Sequence, residues 1–450
     1  MVRKRTAFII GGGITGLSLA EKLKDEFNVI VLEKNNFIGG MCKTHDFKGH
    51  KHEFGPHILY AKTDEQKEWW SRYLTNILKD YYVRVSIDGN IDNTYDFPIT
   101  KSNIDRLIEN KPKEELLIHE KKDKEIRSKY AERKDFESFE DYIIYHIGSL
   151  GYTYFVKNYN KKQWGIDPKD MGTEWASSRP LTLKDQSPYK MFGEAWAGHP
   201  GDYTPLFDKL EEGIEILYNY DVISLDIINE TRIQKLIVKA PSQVNENEIT
   251  TQSIIIAKDD LIFNTSNLDK YVDGVEMAWR GIAKVYCIID GESEMPDYST
   301  TFPNNYRWTR IMDYKKQGNI GVDGTALISF AIPYGDKKEI NKIDITSEIE
   351  TFITEKLNTK IIDIKFDIQD NIYPVSTDEN TENLDKCLKH VCKLNNFYTL
   401  GRLGISAYIS MSRGIQMSWD LYEWLNLNGF KDPGLEEKLK MTKGLREDLW

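Results

Sequence analysis

Cysteine is scarce and scattered. The chain has 450 residues and four cysteines, Cys42, Cys287, Cys387 and Cys392. A disulfide framework is therefore not expected, and a reducing compartment is. Cys387, His390 and Cys392 have a loosely metal-like spacing, but a structural zinc site wants four ligands. The segment reads as helix, and no metal site is assigned. Long apolar runs are also lacking. No stretch of about 18 uninterrupted apolar residues occurs, so no transmembrane helix is expected. Positive charge is in deficit, 60 Lys and Arg against 71 Asp and Glu, a net charge of −11. Nucleic acid needs a basic face and is excluded as a partner. An anionic small ligand held by a few local arginines is not. The expectation is a cytoplasmic protein without membrane or nucleic-acid partners, with homo-oligomerisation left open. Its length suggests two or three domains.

Arg3, Lys4 and Arg5 precede an apolar run and imitate a signal peptide, but the glycines inside that run have a better explanation. Thr6 to Ile10 reads as a strand. Gly11, Gly13 and Gly16 follow as G-x-G-x-x-G, and Leu17 to Phe27 continues as a helix. The first glycine permits the tight turn, the second lets backbone approach a pyrophosphate, and the third lets helix and strand pack closely. The helix N-terminus favours phosphate. Val29 to Leu32 is a second strand, and Glu33, 20 residues past Gly13, stands where a carboxylate meets ribose hydroxyls. Further on, Trp69 to Lys79 reads as a helix. Val83 to Phe97 reads as a hairpin around Asp88-Gly89, and residues 103–140 read as exposed helices with paired charges. Residues 214–264 read as strands separated by polar turns, Ala283–Ile289 as a strand, Ser347–Leu357 as a helix and Phe397–Leu400 as a strand. A last helix begins near Ser412.

The run Glu33-Lys34-x4-Gly39-Gly40-Met41 resembles the FAD-binding superfamily of amine oxidases, phytoene desaturases and UDP-galactopyranose mutases. Within it, the mutases are matched by several blocks. They are Gly55-Pro56-His57; Phe155, Lys157, Tyr159, Lys162, Gln163, Trp164 and Gly165; Ala197 to Thr204; Tyr306 to Tyr314 with Arg310; Tyr373-Pro374-Val375; and Gly401-Arg402-Leu403 followed by Tyr408 and Met411. The trio Pro180, Leu181 and Thr182 stands where that family has P-V-R, with Arg179 and Lys184 nearby. Tyr408-Ile409-Ser410-Met411-Ser412 replaces its Y-Y-D-M-D, and Ile372 its first Y-Y-P-V tyrosine.

The resemblance implies an α/β fold: a discontinuous Rossmann-type FAD-binding domain with a helical insertion and a mixed β-sheet substrate domain. The implied segments are 1–68, 206–270 and 395–450 for the FAD domain, 69–165 for the insertion, and 166–205 with 271–394 for the substrate domain. It implies that Gly11, Gly13, Gly16, Glu33, Lys34, Gly39, Gly40, Met41, Gly401, Arg402 and Met411 hold FAD. Phe155, Tyr159, Trp164, Tyr373 and Tyr408 would hold a nucleotide-diphosphate sugar. His57, Arg280, Arg310 and Arg402 would serve the reaction, a pyranose–furanose ring contraction with reduced FAD as nucleophile at the anomeric carbon and NAD(P)H as reductant. Two other readings stay open. One is an FAD-dependent oxidoreductase of the amine-oxidase or protoporphyrinogen-oxidase type acting on a small molecule. The other is a flavin-binding interaction protein without catalysis.

Overall fold

The strand Thr6–Ile10 is the centre of a five-stranded sheet. Its neighbours are Asn28–Glu33 and Leu261–Asn264, and Glu215–Tyr218 and Phe397–Thr399 lie outside these, all parallel. Four distant stretches of chain thus build one sheet. The central strands are buried on both faces, which is why they read as continuous apolar runs. The register sets Ile10 beside Leu32 and Asn264, and Asn264 beside Thr399. The carboxyl ends therefore open along one edge, where α/β sheets bind ligands. The computed structural model describes residues 4–75, 77, 82–132, 135–172, 183, 196–241, 250–335, 339–375 and 377–447.

The first helix runs Ile14–Leu23, three residues earlier than its apolar pattern suggests, because extended Gly13 takes the N-cap. It packs against the helix Met411–Leu427 with almost no side chain between them. A Cβ on Gly414 would fall 2.5 Å from Thr15 Oγ1, and Ser418 Oγ donates to the Thr15 carbonyl at 2.7 Å. The expected helix 69–79 runs instead over Asp64–Tyr73, capped by Thr63, whose hydroxyl accepts from the Gln66 amide at 3.2 Å. Asp64 and Glu65 suit its positive N-terminal end. Trp69 and Trp70 from this helix enter the core beside Leu17, Leu19, Trp419 and Leu421.

A second, seven-stranded sheet is built around Trp279–Asp290, which pairs antiparallel with Thr325–Tyr334 and Ile361–Pro374. The helix Lys342–Leu357 covers one face with Ile345, Ile349, Phe352 and Ile353. It begins five residues before the pattern suggests, since Asn341 accepts from the Ile343 amide at 3.1 Å. At the far edge, Val83–Val85 runs parallel to Ser299–Thr301 and antiparallel to Tyr95–Phe97, which makes the sheet mixed. The hairpin turns at Gly89, φ 83°. Lys101–Glu109, Lys113–Lys129 and Phe139–Gly151 are helical. The last continues through a π-helical turn, Tyr152–Lys157, into Asn158–Trp164. The strands Asp221–Ile228, Arg232–Pro241 and Thr250–Ile256 form a separate antiparallel meander. Among the described residues no helix is long and apolar enough to cross a membrane.

Candidate active site

A cavity of about 1430 Å³ opens at the carboxyl edge of the parallel sheet and extends under the mixed sheet. Ligand sites usually run to about 300–1,000 Å³, so this one has room for a dinucleotide and a second molecule. Gly11, Gly13, Glu33, Lys34, Gly39, Gly40 and Met41 line one end, with Gly401, Arg402, Ser410 and Met411 beside them.

The glycines divide the work. Gly11, φ 102°, leaves no room for a side chain, since a Cβ would meet Thr265 Oγ1 at 2.5 Å. At Gly16 a Cβ would stand 2.1 Å from the Gly11 carbonyl oxygen, so that glycine sets helix against strand and is not on the cavity wall. At Gly13 a Cβ would meet nothing within 4 Å and would point into open space. The second glycine pair docks on this turn: Gly39 N donates to the Gly12 carbonyl at 2.8 Å, and Gly39 packs on the Phe207 ring. Glu33 accepts from Gly12 N at 2.7 Å and from Asn35 N and Nδ2 at 2.8 and 2.7 Å. Burial nevertheless pushes its carboxyl above the ordinary range. Glu33 lines the cavity, and a carboxylate has acceptor capacity beyond these bonds for a hydroxyl donor. A backbone nest, a helix N-terminus, an acid and an open Gly13 face together fit a dinucleotide. A second helix, Met411–Leu427, is capped by Ser410, which accepts from Arg413 N at 3.1 Å, and its N-terminus also meets the cavity. Its dipole favours negative charge there.

His57 also lines the cavity. Its Nδ1 is buried with no protein partner. Burial lowers its pKa to about 4, so the ring is neutral at ordinary pH. The Tyr203 hydroxyl fixes its backbone by donating to its carbonyl.

Beyond His57 the wall carries Phe155, Tyr159, Arg310 and Tyr408. Arg310 Nη2 donates to the Tyr159 hydroxyl at 3.5 Å, and its Nε is buried without a partner. Arg402 Nη2 donates to the Ile409 carbonyl at 2.7 Å, and its guanidinium lies 4.7 Å from the Tyr408 ring centre and 5.6 Å from that of Tyr373. Such stacking keeps a cation in place while leaving donors for an anion. Trp164 is buried behind these tyrosines, edge-on to Tyr373 at 5.6 Å and to Tyr408 at 5.9 Å. Neither Trp164 nor Tyr373 lines the cavity itself. Arg280, expected at the reacting centre, stands behind the wall. Its Nη2 donates to the Lys162 carbonyl at 3.1 Å and its guanidinium rests against Gly165. Pro180, Leu181, Thr182, Arg179 and Lys184 lie outside the described residues.

Several residues brace the site without lining the cavity themselves. Lys162 turns away from the cavity and donates to the Phe302, Tyr306 and Trp308 carbonyls, at 2.5, 2.9 and 3.0 Å, pinning the turn that precedes Arg310. Its neighbour Gln163 accepts from Thr309 Oγ1 at 3.3 Å. Glu53, fully buried, accepts from Thr44, His199 and Asn319 at 2.8 to 3.2 Å. His199 Nδ1 accepts from Gly201 N at 3.0 Å, so Nε2 carries the proton it donates to Glu53. This network anchors the turn bearing His57. Among the described residues no cluster of His, Cys, Asp and Glu is arranged to hold a metal.

Residues 9–76 match the NAD(P)-binding Rossmann-like domain model. Among curated proteins, the chain is 29% identical over 212 residues to the dTDP-fucopyranose mutase of Escherichia coli, covering 45% of this chain and 52% of that one. It is 21% identical over 421 residues to the UDP-galactopyranose mutase of Mycoplasma pneumoniae, covering 91% and 93%. The match to the first of these thus spans about half its length. In fold it is similar to a crystal structure of reduced UDP-galactopyranose mutase, with a TM-score of 0.74, 14% identity and coverage of 99% and 100%. A putative protoporphyrinogen oxidase from Exiguobacterium follows with a TM-score of 0.67 at 12% identity, covering 94% and 99%. The UDP-galactopyranose mutase family model matches residues 154–408, more than half of the sequence, and the chain belongs to that family.

Proposed function

We propose that this protein is a flavin-dependent nucleotide-sugar mutase that interconverts the pyranose and furanose forms of its substrate. The observation that carries the reading is that the glycine cradle, His57, Arg310 and Arg402 all line one cavity. Family membership and the two mutase relatives support the same reaction class.

In this reading Gly11, Gly13, Gly39 and Gly40 present backbone to the FAD pyrophosphate, and Glu33 takes a ribose hydroxyl. Lys34, Met41, Gly401 and Met411 complete the cofactor's enclosure. When bound and reduced, for instance by NAD(P)H, FAD supplies the nucleophile for the sugar's anomeric carbon. The protein's own residues do the rest. Arg310 and Arg402 hold the nucleotide diphosphate both as substrate group and as leaving group, where their charge matters most in the transition state. The Tyr408 and Tyr373 hydroxyls lie beside that charge, and Trp164 fixes their rings. Phe155 and Tyr159 offer flat faces to the nucleotide base. Arg280 holds the helix end that carries Lys162 and Trp164. Neutral His57 offers a buried nitrogen to a hydroxyl without adding positive charge. The helix Met411–Leu427 directs its positive end at the site, which favours an electron-rich ring there.

The test is anaerobic. Protein reduced with dithionite and given a panel of nucleotide-diphosphate sugars should convert one of them to its furanose form, and the oxidised protein should not. Stoichiometric consumption of an electron acceptor with substrate would instead favour an oxidoreductase. Absence of both turnover and nucleotide-sugar binding would leave a flavin-binding interaction protein.

A further inference from the structure

One part of the cavity wall is not explained by a flavin or by a diphosphate. It begins immediately after His57. Ile58 packs with Val83, Tyr298 and Phe97 in one apolar cluster, and all four line the cavity. Val85, on the same strand as Val83 and facing the same way, continues the wall outward. The polar side chains along it are largely committed to protein. The Thr301 hydroxyl donates to the Arg84 carbonyl at 3.2 Å. The Asn160 amide donates to the Val156 carbonyl at 2.9 Å and accepts from the Trp164 indole at 3.2 Å. Next to His57, then, the described wall is hydrocarbon, while spare hydrogen-bonding capacity is concentrated at His57 itself and Arg310.

Position gives this wall its meaning, and here the inference rests on the mutase reading. The sugar must lie between the cofactor, located by His57 and Met411, and the diphosphate, located by Arg310 and Arg402. The apolar wall starts next to His57 and leads to Arg310, since Val85 pairs with Thr301 and Thr301 with Arg310, so it borders the sugar. A hydroxymethyl arm pressed on Ile58, Val83 and Phe97 would lose its water partners and gain none, whereas a methyl group would be buried favourably. We infer that the protein's substrate is a 6-deoxyhexose nucleotide, with the C5 methyl group seated against Ile58, Val83 and Phe97.

The test compares sugars that differ only at C6 on the same nucleotide: UDP-galactopyranose against its 6-deoxy analogue, and the same pair on dTDP. Calorimetric Kd and kcat/KM are both measured on the reduced, flavin-loaded protein. The 6-deoxy member of each pair should be preferred by about 10- to 100-fold, the range over which an apolar pocket discriminates an added hydroxyl. Val83→Ser, which offers a hydroxyl partner, should narrow that ratio by tightening the hexose and weakening the deoxy sugar. Equal or better use of the hydroxymethyl sugars by the unmodified protein overturns the inference and leaves the mutase reading standing. Binding and turnover of neither member of either pair overturns the mutase reading, and the inference falls with it.

Discussion

Two alanine substitutions three residues apart should fail in opposite ways. At Gly16 a methyl group would stand 2.1 Å from the Gly11 carbonyl oxygen. The clash sets backbone against backbone: Gly11 sits in a glycine turn with φ 102°, and Gly16 lies in the first turn of a helix whose Thr15 carbonyl is held by Ser418. Neither side can yield by rotating a side chain. Overpacking of this kind costs about 1–3 kcal/mol, and the upper end applies here. For a chain of 450 residues unfolding with about 2.1 cal/mol/K of entropy per residue, that is a fall in Tm of roughly 3 °C. At Gly13 the added methyl meets no protein atom within 4 Å, and its φ of −76° suits alanine. The stability change should stay within about 1 kcal/mol, the scale of an N-cap change. The methyl does occupy the space where a pyrophosphate would approach the backbone. Loss of one charge-assisted hydrogen bond there, about 1.5–3 kcal/mol, weakens FAD binding by roughly 10- to 150-fold. The assays are thermal melts of the flavin-free proteins and FAD titration by fluorescence quenching. Wild-type FAD affinity in Gly13→Ala, or a wild-type melt in Gly16→Ala, would refute the assignment of cradle and packing roles.

Other outcomes follow from single groups. Lys162→Met strips three carbonyls of their buried donor. It should cost on the order of 2–4 kcal/mol of stability and raise KM for the nucleotide sugar through Arg310, which melts and steady-state kinetics would show. Lys284 is 2% exposed and burial lowers its pKa to about 7, against about 10.4 in an unfolded chain. Between those values the unfolded chain binds more protons, so stability rises with pH from 7 to 10.4, and the full penalty of the buried charge is present below 7. Lys284→Met should therefore flatten the dependence of stability on pH in that window and stabilise the protein at pH 6. Urea melts across pH would check both. Because burial holds His57 near a pKa of about 4, kcat/KM should show no inflection from this ring between pH 5.5 and 7, and His57→Gln should leave the profile's shape unchanged.

What was legible in the sequence was local. Strand, glycine turn, helix, strand and acid form one continuous stretch, and each residue's role follows from backbone conformation alone. The glycine pair at 39–40 and the helix from Met411 were legible through the resemblance to the FAD-binding superfamily. What was hidden depends on contacts between distant segments. Lys162 stands in the block that resembles the mutases, but nothing in that block tells that its amine meets carbonyls some 140 residues later. Arg280 reads as a site arginine, but its place in the long strand Trp279–Asp290 puts it behind the wall. The pairing of Val83–Val85 with Ser299–Thr301, which creates the apolar side of the cavity, has no periodic signature in strands of three residues.

The central claim is that one cavity holds a flavin and a nucleotide sugar for a ring contraction without net oxidation. Proton NMR of the sugar's anomeric signals tests it most directly, recorded anaerobically on reduced protein with a nucleotide-diphosphate sugar and continued for many turnovers without added reductant. The account predicts that pyranose signals give way to furanose signals until equilibrium, while the flavin absorbance stays that of the reduced form. A sugar product changed in oxidation level, matched mole for mole by the flavin's change of state, would contradict it.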